Sequence, residues 1–309
     1  MKKRMRSTFR YTGPSQEEQT KMSWATLLNG YEEVPEDYHS FYAPLKQTAQ
    51  PFPYSVLTPS FEGFLQKFRQ RVICLIDQSV YIIDKNETVS EALRFNFSNI
   101  DYLCYSSVLL DSNLHISGVC QAGQHKSVEL RFNTVSDTLF KPIVRMIRQA
   151  NFCAPEVIGD FDFDDLESES FKFANFCRHC LLPGEGLNQL IWQPELRIGV
   201  LHSFFPSVFD KFLHRVIFPN HALMLTNQEL IIIKEDEQNK RSDRFGGIWE
   251  YIPLPKIKAG HLTQEENGVI QLTITLKTGL EVHSLFMSSM RQQLENLLNL
   301  LNQLSIHQN

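Results

Sequence analysis

The chain of 309 residues carries 30 Lys and Arg against 35 Asp and Glu, a net charge of −5, so no global charge draws it to nucleic acid or acidic lipid. Its 42% hydrophobic content and 23 phenylalanines exclude a disordered chain, and its length suffices for two domains, each able to bury a core. No run approaches the roughly 18 apolar residues of a membrane span, and the basic start (Lys2, Lys3, Arg4) lacks the apolar stretch of a signal peptide, so a cytoplasmic location is expected.

Residues 1–23 are polar, with a breaker at Gly13 and Pro14, and read as a flexible tail. From Trp24 to Thr58, prolines at 35, 44, 51 and 53 punctuate an aromatic segment, which predicts an extended wrap around the first domain. Phe61, Phe64, Leu65 and Phe68 then fall at the spacing of one helical face. Arg71–Asp84 predicts a hairpin, followed by short strands at 93–100, 108–110, 114–119 and 128–132. Leu139–Arg148 reads as a helix that tolerates Pro142 only near its first turn, so it begins at Asp137 or Phe140.

Residues 153–175 form an acidic run that reads as a linker. Strands are predicted at 190–193 and 197–201, and a second aromatic helix at Pro206–Val216, with Val208, Phe209, Phe212, Leu213 and Val216 on one face. His221–Lys234 then repeats Arg71–Asp84, keeping Leu75/Leu225, Gln78/Gln228, Ile82/Ile232 and Ile83/Ile233. A separation that long implies duplicated domains, since solenoid repeats are shorter. Ile248–Ile257 follows, then strands at 269–276 and 280–285 around a turn at Lys277–Gly279. Met287, Met290, Leu294, Leu297, Leu301 and Leu304 make the apolar seam of a final helix, with Ser289 and Gln292 as a capping box.

Three groups of residues resemble the pleckstrin-homology (PH) superfold in its bacterial branch: Leu181–Glu185, Leu225–Ile233 and Ile248–Ile257, with the strand-turn-strand before the last helix. Together they span about residues 176–305. The first copy lacks the Leu-Pro-Gly-Glu entry and carries Phe95–Ile100 where the second has Ile252–Ile257. The resemblance implies a mainly β protein of two tandem PH-like antiparallel barrels or rolls, each capped by a C-terminal amphipathic helix. The domains would cover 24–152 and 176–309. It also implies a non-catalytic binding or scaffolding module that associates with partner proteins or membranes, although a fold alone does not fix function.

Catalytic signatures are absent: the chain holds no Gly-x-Ser-x-Gly elbow, phosphate-binding glycine loop or His-Glu-x-x-His pair. No enzyme activity and no cofactor are expected. Cys177 and Cys180 have the spacing of a zinc or redox pair, but neither the further ligands nor a βαβ context accompanies them. All six cysteines, at 74, 104, 120, 153, 177 and 180, read as reduced thiols. Asp160, Asp162 and Asp164 begin like a calcium loop, yet Asp165 and Phe171 stand where Gly and Glu are required.

Lys240, Arg241 and Arg244 could hold an anionic ligand, opposed by Glu235, Asp236, Glu237 and Asp243 nearby. The aromatic helices, at the same place in each repeat, are read first as packing on their own barrels; where exposed, Phe61, Phe64, Phe68, Phe209, Phe212 and Arg215 offer a surface for a protein partner or a second copy, with a membrane interface as the alternative. Metal or redox chemistry at Cys177 and Cys180 is a further alternative, and no nucleic-acid partner is expected.

Overall fold

A computed structural model describes residues 24–62, 67–108, 111–151, 163–199, 214–235, 246–264 and 268–307. The chain opens with β1 (Thr26–Leu28), α1 (His39–Gln47), β2 (Tyr54–Leu57), β3 (Phe61–Glu62) and β4 (Lys67–Phe68). Next come β5 (Val72–Ile76), β6 (Ser79–Ile83), β7 (Leu93–Asn96), β8 (Ile100–Val108), β9 (Asp111–Val119), β10 (His125–Phe132) and α2 (Asp137–Gln149). Two helices follow, α3 (Asp164–Glu169) and α4 (Phe171–Cys180). The remainder is β11 (Leu187–Gln193), β12 (Leu196–Gly199), β13 (His214–Phe218), β14 (His221–Thr226), β15 (Glu229–Lys234), β16 (Gly247–Pro253), β17 (Ile257–Gln264), β18 (Val269–Leu276), β19 (Glu281–Met287) and α5 (Arg291–His307).

The fold is mainly β and its sheets are antiparallel. Strands run β1-β2-β5-β6-β7 in one sheet, β10-β9-β8-β16-β15-β14-β11 in a second and β17-β18-β19 in a third, and among the described residues none closes into a barrel. Apart from β1, the β3–β4 and β12–β13 pairs and helices α1, α3 and α4, each half of the chain lays down four strands, then three, then a helix: β2-β5-β6-β7, β8-β9-β10 and α2 in the first, β11-β14-β15-β16, β17-β18-β19 and α5 in the second.

The correspondence extends to single bonds. The Gln78 carbonyl accepts from Phe97 N–H at 2.9 Å, and the Gln228 carbonyl accepts from Leu254 N–H at 2.9 Å. Phe95, Phe97 and Ile100 are buried in one half as Ile252, Leu254 and Ile257 are in the other. The two spellings that differ most in sequence therefore share one conformation. The β9–β10 and β18–β19 turns both place glycine at positive φ, Gly123 at +74° and Gly279 at +88°, where an L side chain would be strained.

The central sheet crosses from one half to the other. Strand β8 pairs with β16 from Ser107 opposite Gly247 to Leu103 opposite Tyr251, which makes seven strands continuous. The repeated hairpins are buried on both faces. Ile73, Leu75, Val80 and Ile82 enter the main core, while Val72, Cys74, Tyr81 and Ile83 meet Phe41 and Tyr42 of α1. In the second hairpin Leu223, Leu225, Leu230 and Ile232 face the core closed by α5, while Ala222, Met224, Ile231 and Ile233 join a cluster containing Phe173, Ala174 and Cys177 of α4. Strands covered on both sides carry continuous apolar runs, which accounts for the density of both hairpins.

Several sequence expectations change. The helix at 59–68 is replaced by strands, with Phe61 paired to Phe68 across β3 and β4, and Gly63 disfavours a helix there by about 1 kcal/mol relative to alanine. Phe64 and Leu65 lie outside the described residues. At the second aromatic segment His214–Phe218 is strand β13, with Arg215 opposite Ile198, so Arg215 is not on a helix; Phe209 and Phe212 lie outside the described residues. The acidic run is not a solvated linker from Phe163 onward, because α3 and α4 bury Phe163, Leu166, Phe173, Ala174, Cys177 and Cys180. These apolar positions recur at helical spacing, so they form a covering face.

The N-terminal wrap is partly helical, since α1 runs through Pro44. Helix α2 begins at Asp137, which leaves Pro142 in its second turn. Met287 ends a strand half-exposed, and the seam of α5 is carried by Leu294, Leu297 and Leu301, all buried. Gln292 donates forward to Asn296 at 3.2 Å instead of closing a capping box. No helix among the described residues is long and apolar enough to cross a membrane.

Because β8 and β16 share a ladder and the main core draws on both halves, the full chain is expected to unfold in one transition. Residues 176–309 alone would expose the edge of β16 and the Met224–Ile231 face, and are expected to aggregate or dimerise. A soluble, cooperatively folded monomer of that fragment in calorimetry and light scattering would refute the coupling.

Candidate functional cleft

Asp137, Lys141, Arg145 and Arg148 recur every three or four residues, so they share one face of α2. That face looks across a cleft of about 720 Å³, whose other walls are Tyr105 of β8, Phe176 and His179 of α4, the Leu181–Pro183 turn, and Gly246, Trp249 and Tyr251 at β16. Residues remote in sequence meet there because the β8–β16 ladder sets the floor and α2 and α4 flank it.

Arg148 closes the inner end. Its Nε donates to Glu229 Oε1 at 2.7 Å and its Nη2 to the same oxygen, Nη1 reaches the Cys180 carbonyl at 2.8 Å, and Nη2 reaches Glu185 Oε2 at 3.2 Å. The guanidinium lies 4.0 Å over the Tyr251 ring. Burial alone would loosen its proton, but Glu229, Tyr251 and Glu185 more than offset this and hold it charged. One cation faces two carboxylates, and Glu229 takes the closer contacts. Burial first, and the Glu229 charge second, push the Glu185 carboxyl up to about 7, although Arg148 opposes the shift.

The outer part of the cleft is aromatic and positively charged. Phe176 meets Trp249 edge-on at 4.9 Å, and Tyr105 stands 6.1 Å from Trp249. Lys141 pairs with Asp137 at 3.0 Å. Arg145 and His179 are exposed on opposite walls, and among the described residues Arg145 has no ion pair. Tyr105 is 5% exposed and its hydroxyl is buried without a partner. An unpaired group of that kind costs about 1–3 kcal/mol; Tyr105 lines the cleft as a residue, while its hydroxyl itself is shielded from solvent. Gly246 has φ of +89°, and a Cβ there would meet the Ser107 carbonyl at 1.9 Å, so the backbone at the rim admits no side chain.

Other clusters are satisfied within the fold in part or in whole. A second cavity of about 820 Å³ between β5–β7 and β10 is lined by both signs of charge. Several of its groups are matched in place, Arg71 with Asp84 at 2.9 Å, Arg131 with Asp111 at 2.8 Å, and Glu87 and Glu91 each accepting a backbone N–H, while Arg69 and Lys126 on its lining have no ion pair among the described residues. Ser117, His125 and Asp101 lie together, but serine and aspartate contact the same ring nitrogen, Nε2, at 3.1 and 3.2 Å. A relay requires both nitrogens, one for the nucleophile and one for the acid.

Cys177 and Cys180 are both buried in α4. Burial pushes the Cys177 thiol up to about 12 and the Cys180 thiol well above its ordinary value, so both stay protonated. Cys180 donates to the Cys177 carbonyl at 3.2 Å. The described cysteines are all free thiols, and no group of three metal-binding side chains occurs among the described residues.

Phe61 and Phe68 lie on the β3–β4 pair and Arg215 on β13, while Phe64, Phe209, Phe212 and the basic loop Lys240, Arg241 and Arg244 lie outside the described residues. Arg148, Glu185, Glu229, Tyr105 and Trp249 were missed as a group. Two signals pointed to them: a line of charges along an otherwise apolar helix, and an acid, Glu229, in an apolar hairpin. No protein-family model matches the sequence, and a search of curated proteins found no match.

Proposed function

We propose that this chain is a non-catalytic binding protein made of two tandem PH-like units joined as one body, which engages a protein partner through the cleft between α2 and α4. The observation that carries the reading is the cleft itself: an aromatic wall and an Arg145 without an ion pair among the described residues. The repeated order of four strands, three strands and a helix supports two PH-like units. Sheet edges are the weaker recognition surface, because edge strand β10 points His125, Lys126, Glu129 and Arg131 outward or into partly exposed positions, and charge blunts edge pairing. Free thiols on the described cysteines fit a cytoplasmic setting.

Quantitative pull-down with the full chain tests this. A partner retained by the wild type is expected to be lost with Trp249→Ala and with Arg145→Glu, while circular dichroism stays unchanged. Capture that is indifferent to both substitutions would place recognition elsewhere.

A further inference from the structure

We propose that the same cleft also takes a small soluble organic anion, its planar apolar body against Phe176 and Trp249 and its carboxylate or phosphate on Arg145. The inference rests on the reading of the chain as a binding protein and adds the chemistry of a ligand. The cavity of about 720 Å³ lies within the range of sites that enclose small molecules, roughly 300–1,000 Å³.

Charge selects the sign of the ligand. Lys141 is committed to Asp137, and Arg148 to Glu229 and Glu185, which leaves Arg145 as the cation of this helix face without an ion pair among the described residues. Its planar fork suits a carboxylate or phosphate. His179 stands on the opposite wall and adds donors at the mouth. A cationic ligand would meet Arg145 directly, and a purely apolar one would leave Arg145 unused.

Isothermal titration calorimetry on the full chain, with naphthoate and naphthyl phosphate as probes and naphthalenemethanol as the uncharged control, tests the proposal. Saturable one-to-one binding of the anions is expected, at least about 5-fold tighter than the alcohol. Arg145→Gln should erase that preference. Trp249→Leu provides an independent check on the aromatic wall, with weaker binding of every probe.

No saturable heat at millimolar probe, equal affinity for anion and alcohol, or unchanged anion binding in Arg145→Gln would overturn the proposal. Association seen only with anionic-lipid vesicles would overturn it as well. If partner capture still depends on Trp249 while the anions do not bind, the small-anion inference falls and the binding reading stands. If neither depends on the cleft, both fall.

Discussion

Arg148→Met is expected to destabilise the protein by about 3–5 kcal/mol, because it strands two buried carboxylates without their shared counter-charge. The guanidinium and both acids are nearly or fully shielded from solvent, so water cannot replace the lost bonds. Arg148→Lys should recover only part of the loss, since an ammonium cannot reach Glu229, Glu185 and the Cys180 carbonyl in the same fork geometry. Adding Glu229→Gln to Arg148→Met should restore stability relative to the single variant by removing one orphaned charge. Urea denaturation of the wild type, Arg148→Met, Arg148→Lys and the double variant measures these differences. A loss below about 1 kcal/mol for Arg148→Met would show that the cluster is solvated, contrary to its burial.

The pH dependence of stability should contain two opposed contributions of similar size. Glu185 has its pKa raised from 4.5 to about 7, so its stabilising contribution is complete below pH 4.5 and is lost as pH climbs through about 7. His221, buried with Nδ1 3.0 Å from the Pro219 carbonyl and between Phe218 and Phe286, is pushed down by burial from 6.5 to about 4. Its contribution is complete above pH 6.5 and is lost as pH falls through about 4. Between pH 4.5 and 6.5 the two slopes cancel in the wild type.

Removing either group should unmask the other. Relative to wild type, Glu185→Gln should gain on the order of 3 kcal/mol between acid and neutral pH, and His221→Gln a similar amount as pH falls from neutral toward acid. Denaturation across this range gives the two difference profiles, and a flat profile for either variant would remove that residue from the account.

The likeness of the two hairpins was legible because it is written in short-range pattern. The hairpins at Arg71–Asp84 and His221–Lys234, the helix that became α2 and the seam of α5 each follow from apolar residues at strand or helix spacing. The same logic misread Phe61–Phe68, where four apolar residues met the helical template and the chain formed strands instead. It also misjudged the acidic run, because the charge of Asp164, Asp165, Glu167 and Glu169 obscured the apolar face that α3 and α4 turn inward. The cleft was less legible still, since its walls come from β8, α2, α4 and β16.

Local chemistry alone establishes both long hairpins, the helices α2 and α5, that the two halves echo each other, and that the sequence carries no familiar catalytic motif. Periodicity and turn residues act over a few positions, so they survive in one dimension. The pairing of β8 with β16, the covers laid over each hairpin and the company kept by Arg148 belong to the assembled fold. An antiparallel ladder is made of backbone groups common to every residue, so the strand that β16 selects leaves no side-chain signature. Likewise, Glu229 and Arg148 each look like ordinary charges until packing removes water from both and makes them partners.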